Sequence, residues 1–434
     1  MTSVTKTRIA LFGNFGTRNL GNECTLQAIV HNVAARLPKA DMFVICSDPV
    51  ETERTHRLPS VPMRATYVPE DRASRTEARR SGRVARLLQR AGRIGSELRG
   101  WFNAYRTVKG ISALIVAGTG PLTDQGESIL GFPYEIFKWA WIAWLRGAKV
   151  RFVAVGAGPI RSALGRVFIG LALKVADYRT FRDEVSRSRL ELAGMKTRDD
   201  PVVPDLAFSL PESLFRADPG AASDHPVIGV GVFDYYGLDP DRRDGEALHK
   251  AYVEKMADFI ARLLRDDYAV RILIGDLRYD LEVRRAILAK LDERGISRRN
   301  GRLISEDIHS VADLLSQLSA TTLVVSPRYH NLLLGIMLGK PVLSISYDAK
   351  NDALLEGVGL GEYRQPIDSL DVDLLRAQLA KLERDAPRIQ HRIRERVASY
   401  RRAWEREYTF VLAGLAESLV SRGAARAPAR GPHA

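Results

Sequence analysis

Short runs of aliphatic and β-branched residues alternate along the chain with segments whose apolar residues recur every three or four positions. The runs are typical of buried parallel strands, and the recurring spacing is typical of helices that cover a sheet. Repeated alternation of the two patterns predicts an α/β fold with parallel sheets. The predicted strands are residues 8–12, 42–47, 111–116, 150–155, 178–181, 227–232, 270–274, 303–304, 322–325 and 341–346.

The stretch 211–226 divides these strands into two series. It is enriched in Pro, Ser, Asp and Gly, which predicts a linker. We therefore expect two Rossmann-like domains with a cleft between them, followed by a helical extension. The predicted parts are a first domain at 1–212, a second domain at 222–385, a carboxyl-terminal helix at 386–421 and a disordered tail at 422–434.

Three further segments have distinctive patterns. Residues 51–70 are polar and are predicted to be irregular, and the chain from 362 onward is predicted to be helical. The apolar segment 132–146 is predicted to be a helix, and its tryptophans are expected to pack against the sheet rather than to form a platform for sugars. Its longest apolar run, Trp139 to Leu145, is too short to span a bilayer.

The net charge of +13 is the unusual feature of the composition of this 434-residue chain. It fits attraction to nucleic acid, to an anionic membrane or to an anionic substrate, and a solvated arginine-rich surface explains it equally well. The two cysteines, Cys24 and Cys46, provide neither a disulfide framework nor a CxxC metal site, which favours a cytoplasmic location. The eight histidines are scattered without metal-ligand spacing, so we expect no metal.

Arginine dominates the segment 72–99, which interrupts the first domain. Its apolar residues form a loose stripe, consisting of Val84, Leu87, Leu88, Ile94 and Leu98. A basic amphipathic helix of this kind can lie on the anionic inner face of the plasma membrane. A mobile insert or a solvated surface helix is the alternative. Specific nucleic-acid binding is not expected, because no recognised binding module accompanies the segment.

The strongest candidate site is the stretch from Ser326 to Asp348. A predicted strand ends at Ser326-Pro327, and Arg328 and His330 follow directly. The next strand ends shortly before Asp348 and Lys350. In open α/β sheets the ligand crevice lies at the carboxyl ends of the strands, so we expect these four charged or titratable side chains to line one cleft.

Two glycine-containing turns follow strands of the first domain. The turn at 13–21 precedes a helix whose first N–H groups are free to bind an anion, although the glycine spacing does not match a dinucleotide-binding motif. A phosphate loop and a plain tight connection both remain open there. Gly118 and Gly120 follow the strand 111–116, where close approach of a ligand and a simple turn are again both open.

Arg182 and Asp183 follow the last strand of the first domain, in the sequence Arg-Asp-Glu-x-Ser. Arg182 either reaches the cleft from the first domain or forms a local ion pair with Asp183. Downstream, the sequence Pro-Asp-Leu-Ala at 204–207 closes the domain.

Taken in order, these motifs resemble those of the polysaccharide pyruvyl transferase family over residues 8–360. The matching elements are the Asn-x-Gly-x-Glu turn, the glycine pair, Arg-Asp-Glu-x-Ser, Arg-x-His and Tyr-Asp-x-Lys. Two departures stand out: Asn22 replaces the usual aspartate, and only two glycines of a four-glycine run are present. With two successive α/β domains, the resemblance implies a GT-B-like architecture.

The resemblance implies transfer of a pyruvyl group from phosphoenolpyruvate to hydroxyls of a glycan or lipid-linked saccharide, usually with formation of a cyclic ketal. Arg328 and Arg182 would clamp the donor. His330 would act as general acid toward carbon 3, or would instead donate to the phosphate oxygen as phosphate departs. A histidine that only caps the helix is the alternative. No cofactor besides the donor is implied. The residues expected to bind substrate are Asn14, Gly16, Asn19, Gly21, Glu23, Gly118, Gly120, Asp183, Tyr329, Asp348 and Lys350. Of these, Lys350 would place positive charge at the leaving group, and Glu23 or Asp183 would orient or deprotonate the acceptor hydroxyl.

Three other functions remain open from the sequence. A nucleotide-sugar glycosyltransferase of the same architecture would also use arginine and lysine to hold a diphosphate. A non-catalytic relative that binds a glycan or an anion fits the departures from the family motifs. A charge-driven nucleic-acid binder is the weakest of the three. The sequence does not indicate the acceptor sugar or the oligomeric state.

Overall fold

Two parallel six-stranded sheets form the framework of the computed structural model, which describes residues 7–64, 83–125, 130–215, 224–237, 243–296 and 301–415. The strand orders are β3-β2-β1-β4-β5-β6 and β12-β11-β10-β7-β8-β9, so both sheets have the doubly wound Rossmann-like order. The first sheet consists of β1 (Arg8–Phe12), β2 (Asp41–Cys46), β3 (Ser60–Pro62), β4 (Ala113–Ala117), β5 (Lys149–Val155) and β6 (Tyr178–Phe181). The second consists of β7 (Val227–Gly231), β8 (Ala269–Leu273), β9 (Leu303–Ile304), β10 (Leu323–Ser326), β11 (Val342–Ser346) and β12 (Arg364–Pro366).

Helices cover both faces of each sheet. Those of the first domain are α1 (Leu20–Arg36), α2 (Pro49–His56), α3 (Arg83–Thr107), α4 (Phe132–Leu145), α5 (Ala163–Lys174) and α6 (Glu184–Leu192). Those that follow are α7 (Gly245–Arg265), α8 (Asp280–Glu293), α9 (Val311–Ser319), α10 (Tyr329–Met337), α11 (Ala349–Gly357), α12 (Val372–Arg384) and α13 (Ala386–Val411). Among the described segments, every helix is too short or too polar to cross a bilayer.

The predicted α/β fold with two parallel sheets is confirmed, but three local predictions are wrong. Residues 51–62, expected to be irregular, contain most of α2 and all of β3, and β12 interrupts the region from 362 onward that was expected to be helical. These are short edge elements that bury few side chains, so they have no apolar periodicity. Of the three tryptophans of α4, which were all expected to pack against the sheet, only Trp139 belongs to the core, and Trp144 is 47% exposed.

The apolar core joins the two domains. One cluster of buried side chains runs from the α1 face of the first sheet through α10 into the second domain. A second cluster fills the opposite face of the first sheet, beneath α3, α4 and α5. Because α10 is buried almost all round, it lies between the domains and holds its amino-terminal residues at the cleft.

Helix α13 returns from the second domain to the first. Arg151 of β5 donates hydrogen bonds to the carbonyl oxygens of Phe410 and Ala413 at 3.0 and 2.6 Å, which satisfies carbonyls at and beyond the end of the helix. Nε1 of Trp404 donates to the Asp205 carbonyl oxygen at 3.2 Å. The helix therefore braces the segment that carries Asp205. The predicted tail, 422–434, lies outside the described residues.

The basic segment 72–99 is only partly described. Residues 72–82 lie outside the described residues, and residues 83–99 belong to α3. Of the stripe predicted for this segment, Leu98 is 68% exposed, so it faces solvent rather than the sheet.

Candidate active site

A cavity of about 120 Å³ lies between the domains at the carboxyl ends of the strands. Its lining comes from residues just beyond β1, β4 and β6 of the first sheet and β8, β10 and β11 of the second. The lining residues are Asn19, Gly21, Asn22, Thr119, Gly120, Arg182, Gly275, Arg328, Tyr329, His330, Asn331, Tyr347 and Lys350. A larger cavity of about 440 Å³ beside β3 and α3 lies away from these strand ends. The smaller one occupies the position where open α/β sheets bind ligands.

Arg328 reaches the cavity from the amino-terminal cap position of α10. Its Nε donates to Asp280 Oδ2 at 2.9 Å and its Nη2 donates to Asp280 Oδ1. Asp280 is fully buried and also accepts the backbone N–H groups of Gly275 and Asp276, each at 3.0 Å. Burial raises the pKa of Asp280, and Arg328 opposes this rise. Nη1 of Arg328 has no hydrogen-bond partner among the described residues, so it remains available to a ligand.

Arg182 is the corresponding arginine of the first domain. Its Nε donates to Asp183 at 3.1 Å and its Nη1 donates to Asp205 at 3.5 Å. The guanidinium lies 4.9 Å from the ring centre of Tyr329, which belongs to the second domain. Although burial acts to lower it, the pKa of Arg182 is raised by neighbouring groups that include Asp183 and Asp205, so the side chain stays charged. Both alternatives for Arg182 hold: it forms the local ion pair and it lines the cleft.

His330 lies in the first turn of α10 and is held neutral by its surroundings. Burial lowers its pKa to about 3, and the positive charges of Arg182, Lys350 and Arg328 act in the same direction. Asp205 Oδ1 lies 4.0 Å from His330 Nε2, yet this carboxylate does not offset the burial and the three cations. In the unliganded cleft, His330 is therefore an uncharged imidazole at neutral pH.

Gly21 sets the distance between α1 and His330. A Cβ atom at position 21 would lie 2.1 Å from His330 Nδ1, so a larger residue would force the imidazole or the domains to move. The glycine is thus required for close approach across the domain interface.

We expect Gly21→Ala to lower the activity of this site by about tenfold or more and to reduce the free energy of unfolding by about 1–3 kcal/mol, because the added methyl group overpacks the interface. Steady-state kinetics and thermal unfolding measure the two effects. Gly170→Ala in α5 is the matched control, since a Cβ atom there meets nothing within 4 Å. If Gly21→Ala behaves like this control, Gly21 does not position His330.

Several buried polar atoms at the cavity have no partner among the described residues. Asn331 is fully buried and neither its Oδ1 nor its Nδ2 is hydrogen-bonded, and the same is true of Thr119 Oγ1 and His330 Nε2. Arg328 caps α10 without a side-chain hydrogen bond to its first turn. Unpaired buried polar groups are costly, so their concentration here indicates a site that a polar ligand completes.

The turn before α1 differs from the anion-binding loop that the sequence left open. Oδ1 of Asn19 accepts the N–H groups of Gly21 and Asn22, and the N–H group of Leu20 donates to the Gly275 carbonyl oxygen at 2.9 Å. These N–H groups are therefore not free to bind an anion. Asn19 Nδ2 also donates to Asp276 at 2.9 Å, so this turn fastens the first domain to the second.

Six of the predicted substrate-binding residues do not line the cavity: Asn14, Gly16, Glu23, Gly118, Asp183 and Asp348. Glu23 is buried, with Oε1 accepting the Gly16 N–H group at 3.0 Å and Oε2 lying 2.7 Å from His56 Nε2. Asp348 caps α11 and lies 3.6 Å from Arg189 across the domain interface. Contacts of these six residues with substrate remain predictions, and the structure shows a supporting role for Glu23 and Asp348.

The other four show similar local roles. Gly16 has a φ of 75°, and a Cβ atom there would lie 2.2 Å from the Asp48 carbonyl oxygen. At position 118, a Cβ atom would lie 3.0 Å from the Leu206 side chain. Asn14 accepts a hydrogen bond from Ser47, and Asp183 caps α6. Burial acts to raise the pKa of Asp183, but Arg182 and Ser186 outweigh it and the pKa is lowered.

Sequence reasoning missed several residues of the site. Thr119 lies between the two glycines that were identified, and Asn331 directly follows His330, so position relative to those motifs was the available signal. Asp205 is a different case, because its motif was recognised while its contact with Arg182 was not. Asp280 carried no signal at all, since it resembles any acidic residue at the start of a helix.

Comparison with known protein families gives one match: the profile described as polysaccharide pyruvyl transferase matches residues 19–349. The matched region runs from the turn before α1 to the start of α11, and it includes every residue that lines the cavity except Lys350. No match is found among curated proteins.

Solved structures with similar folds include MnaA from S. aureus with UDP, at 12% identity and a TM-score of 0.56, covering 94% of this chain and 96% of that one. UDP-GlcNAc 2-epimerase from Neisseria meningitidis bound to UDP-GlcNAc has 12% identity and a TM-score of 0.55, and the match covers 94% of this chain and 99% of the epimerase. Anabaena HepE in complex with UDP and glucose has 12% identity and a TM-score of 0.57, with coverage of 93% and 99%. At this identity the likeness concerns the fold, and it confirms the predicted GT-B-like architecture.

Proposed function

Because the chain belongs to the polysaccharide pyruvyl transferase family, and is therefore a transferase, we propose that it transfers a pyruvyl group from phosphoenolpyruvate to hydroxyls of a sugar. The acceptor is part of a polysaccharide or a glycan precursor, and the product is a pyruvate ketal. Phosphoenolpyruvate is the donor substrate, and no other cofactor enters the proposal.

The observation that carries the proposal is the pair of arginines from separate domains at one cavity. Nη1 of Arg328 and Nη2 of Arg182 have no hydrogen-bond partner among the described residues, while carboxylates hold the remaining nitrogens of both forks. Phosphoenolpyruvate carries a carboxylate and a phosphate. Guanidinium groups fixed from behind suit both anions, because their charge-assisted hydrogen bonds require little reorganisation.

The size of the cavity favours a small donor. Drug-sized ligands occupy pockets of about 300–1,000 Å³, whereas this cavity measures about 120 Å³. A nucleotide sugar, such as the UDP-GlcNAc bound by the Neisseria epimerase, requires more room. This supports phosphoenolpyruvate over the alternative of nucleotide-sugar transfer.

The proposed reaction adds one sugar hydroxyl oxygen to carbon 2 of the enol while carbon 3 gains a proton from His330, and the proton of that hydroxyl then passes to the neutral imidazole. A second hydroxyl then displaces phosphate from carbon 2, which closes the ketal and releases the hydroxyl proton. His330 supplies the proton to carbon 3 as general acid. Lys350 makes no ion pair among the described residues, and it stabilises the departing phosphate.

A general acid must carry a proton, and His330 is neutral in the unliganded cleft. The donor changes this, because its phosphate and carboxylate place negative charge beside His330 and offset the three cations that add to the effect of burial in lowering its pKa. Binding of phosphoenolpyruvate therefore raises this pKa and couples donor binding to proton uptake. The acid is then charged only when its substrate is present.

We expect phosphoenolpyruvate at about 100 times its Kd to raise the free energy of unfolding by about 2.7 kcal/mol. A thermal-shift titration measures this, with UDP-glucose and UDP-GlcNAc as comparison ligands. Release of inorganic phosphate on addition of a glycan acceptor then tests the reaction itself. Stabilisation by a nucleotide sugar and not by phosphoenolpyruvate would show that the chain uses the other donor class.

A further inference from the structure

The helices α3, α4 and α5 carry apolar side chains on the face that points away from the sheet. They hold seven of the fourteen large hydrophobic side chains that are exposed in the described residues. The seven are 47 to 68% exposed: Leu98, Phe102 and Tyr105 of α3, Trp144 and Leu145 of α4, and Leu164 and Val167 of α5. Exposed apolar patches of this kind mark interaction sites.

Half-buried aromatic rings join the three helices into one surface. Trp101 of α3 lies 6.1 Å from Phe137 of α4, and Phe137 stacks on Phe168 of α5 with 5.4 Å between ring centres. Trp141 and Trp144 continue the row along α4, also 5.4 Å apart. We call the exposed side chains of these helices, with the rings beneath them, the outer face.

The charge on the outer face is positive. Among the described side chains, Arg99 and Arg106 of α3 and Arg166 and Lys174 of α5 are exposed cations, and α5 has no acidic residue. The acidic side chains of the three helices are engaged: Glu97 accepts a hydrogen bond from Tyr134 at 2.9 Å, and Glu135 lies buried 2.7 Å from Lys138. Exposed cations therefore surround exposed aromatic and aliphatic groups.

We propose that the outer face binds the surface of an anionic phospholipid bilayer, with its tryptophan and leucine side chains at the boundary between headgroups and acyl chains. Helices with aromatic and aliphatic groups on one side and arginine or lysine beside them are typical of interfacial binding. A second copy of this chain fits less well, because it would bring two cationic surfaces together, and such contacts cost several kcal/mol.

The outer face is well placed for such contact. It covers the side of the first sheet opposite the second domain, so membrane binding leaves the domain interface free. Its Leu164 end follows β5, and a Cβ atom on Gly156, directly after β5, would lie 2.6 Å from Nη2 of Arg182, which lines the cavity. This inference does not depend on the identity of the donor.

Flotation of the full-length protein with phosphatidylcholine vesicles, with and without phosphatidylglycerol, tests the proposal. We expect binding only to the anionic vesicles, weakened by salt. The double variant Trp144→Ser/Leu145→Ser should lower binding by about tenfold or more, because two large apolar side chains no longer enter the lipid interface. The control variant Val50→Ser/Leu374→Ser changes exposed apolar residues on α2 and α12 and should bind as the unmodified protein does.

A charge-reversal variant, Arg99→Glu/Arg106→Glu/Arg166→Glu, keeps the test valid if the serine variant unfolds. It leaves every apolar residue in place and should abolish binding to anionic vesicles. Equal binding to both kinds of vesicle, or equal loss in the control variant, would overturn the proposal. So would a concentration-dependent dimer in sedimentation that only the Trp144→Ser/Leu145→Ser change dissociates. Phosphate release with a soluble acceptor reports on the proposed transfer separately.

Discussion

Arg328→Met should lose transfer activity by about 100- to 1,000-fold, because one preorganised donor to the anionic substrate disappears from the cavity. The same change should reduce the free energy of unfolding by about 3–5 kcal/mol. Asp280 is completely buried and receives two nitrogens of the Arg328 guanidinium, so the variant leaves a buried carboxylate without its cation. Steady-state kinetics and denaturant unfolding measure the two losses.

The double variant Arg328→Met/Asp280→Asn separates catalysis from folding. An asparagine oxygen still accepts the N–H groups of Gly275 and Asp276, which now donate to Asp280 at 3.0 Å, and the uncompensated charge is gone. We expect stability to return to within about 1–2 kcal/mol of the unmodified protein while activity stays lost. Recovery of activity together with stability would show that Arg328 only supports the fold.

His330→Gln should lower the turnover number by about 100- to 10,000-fold, the range over which general acids contribute. The fold should be retained, because Nε2 of His330 makes no hydrogen bond among the described residues. Binding of phosphoenolpyruvate should persist through Arg328 and Arg182. Near-full turnover in this variant would contradict the proposed role of His330.

The protonation of His330 gives a second readout. Since its pKa falls from an ordinary 6.5 to about 3 on folding, the unfolded chain binds more protons between these values. This group therefore lowers stability as the pH falls below about 6.5, and it has no effect above that value. When the pH is lowered from about 7.5 to about 5, a range that spans the ordinary histidine pKa, His330→Gln should lose less stability than the unmodified protein. Thermal unfolding at the two pH values measures the difference.

Calorimetry in buffers of different ionisation enthalpy should show proton uptake when phosphoenolpyruvate binds the unmodified protein. His330→Gln should lose that uptake, while any protons exchanged by the donor itself remain in both titrations. Identical proton uptake in the two proteins would indicate that His330 stays neutral in the complex. It would then donate a hydrogen bond rather than act as the acid.

Arg182, Arg328 and His330 could be predicted as site residues because the sequence shows where the buried strands end. The predicted strands at 178–181 and 322–325 end shortly before Arg182 and Arg328, and parallel strands bring their carboxyl ends to one edge of a sheet. The predictions that were based on glycine spacing were less accurate, because Gly16 and Gly118 do not line the cavity. Gly118 and Gly16 satisfy local steric needs of the backbone, and a sequence does not distinguish such needs from close approach to a ligand.

By itself, the sequence determined the α/β class, two parallel sheets with a helical extension, and which polar residues follow their strands. Strand and helix periodicity depends on residues a few positions apart, so short stretches of sequence are enough to predict these elements. Only the tertiary structure decided that Asp280 holds Arg328, that Asp205 faces both Arg182 and His330, and that Glu23 is engaged by His56 away from the cavity. These partners lie 23 to 125 residues apart along the chain, and His330 is neutral because burial and three cations from two domains coincide at one point.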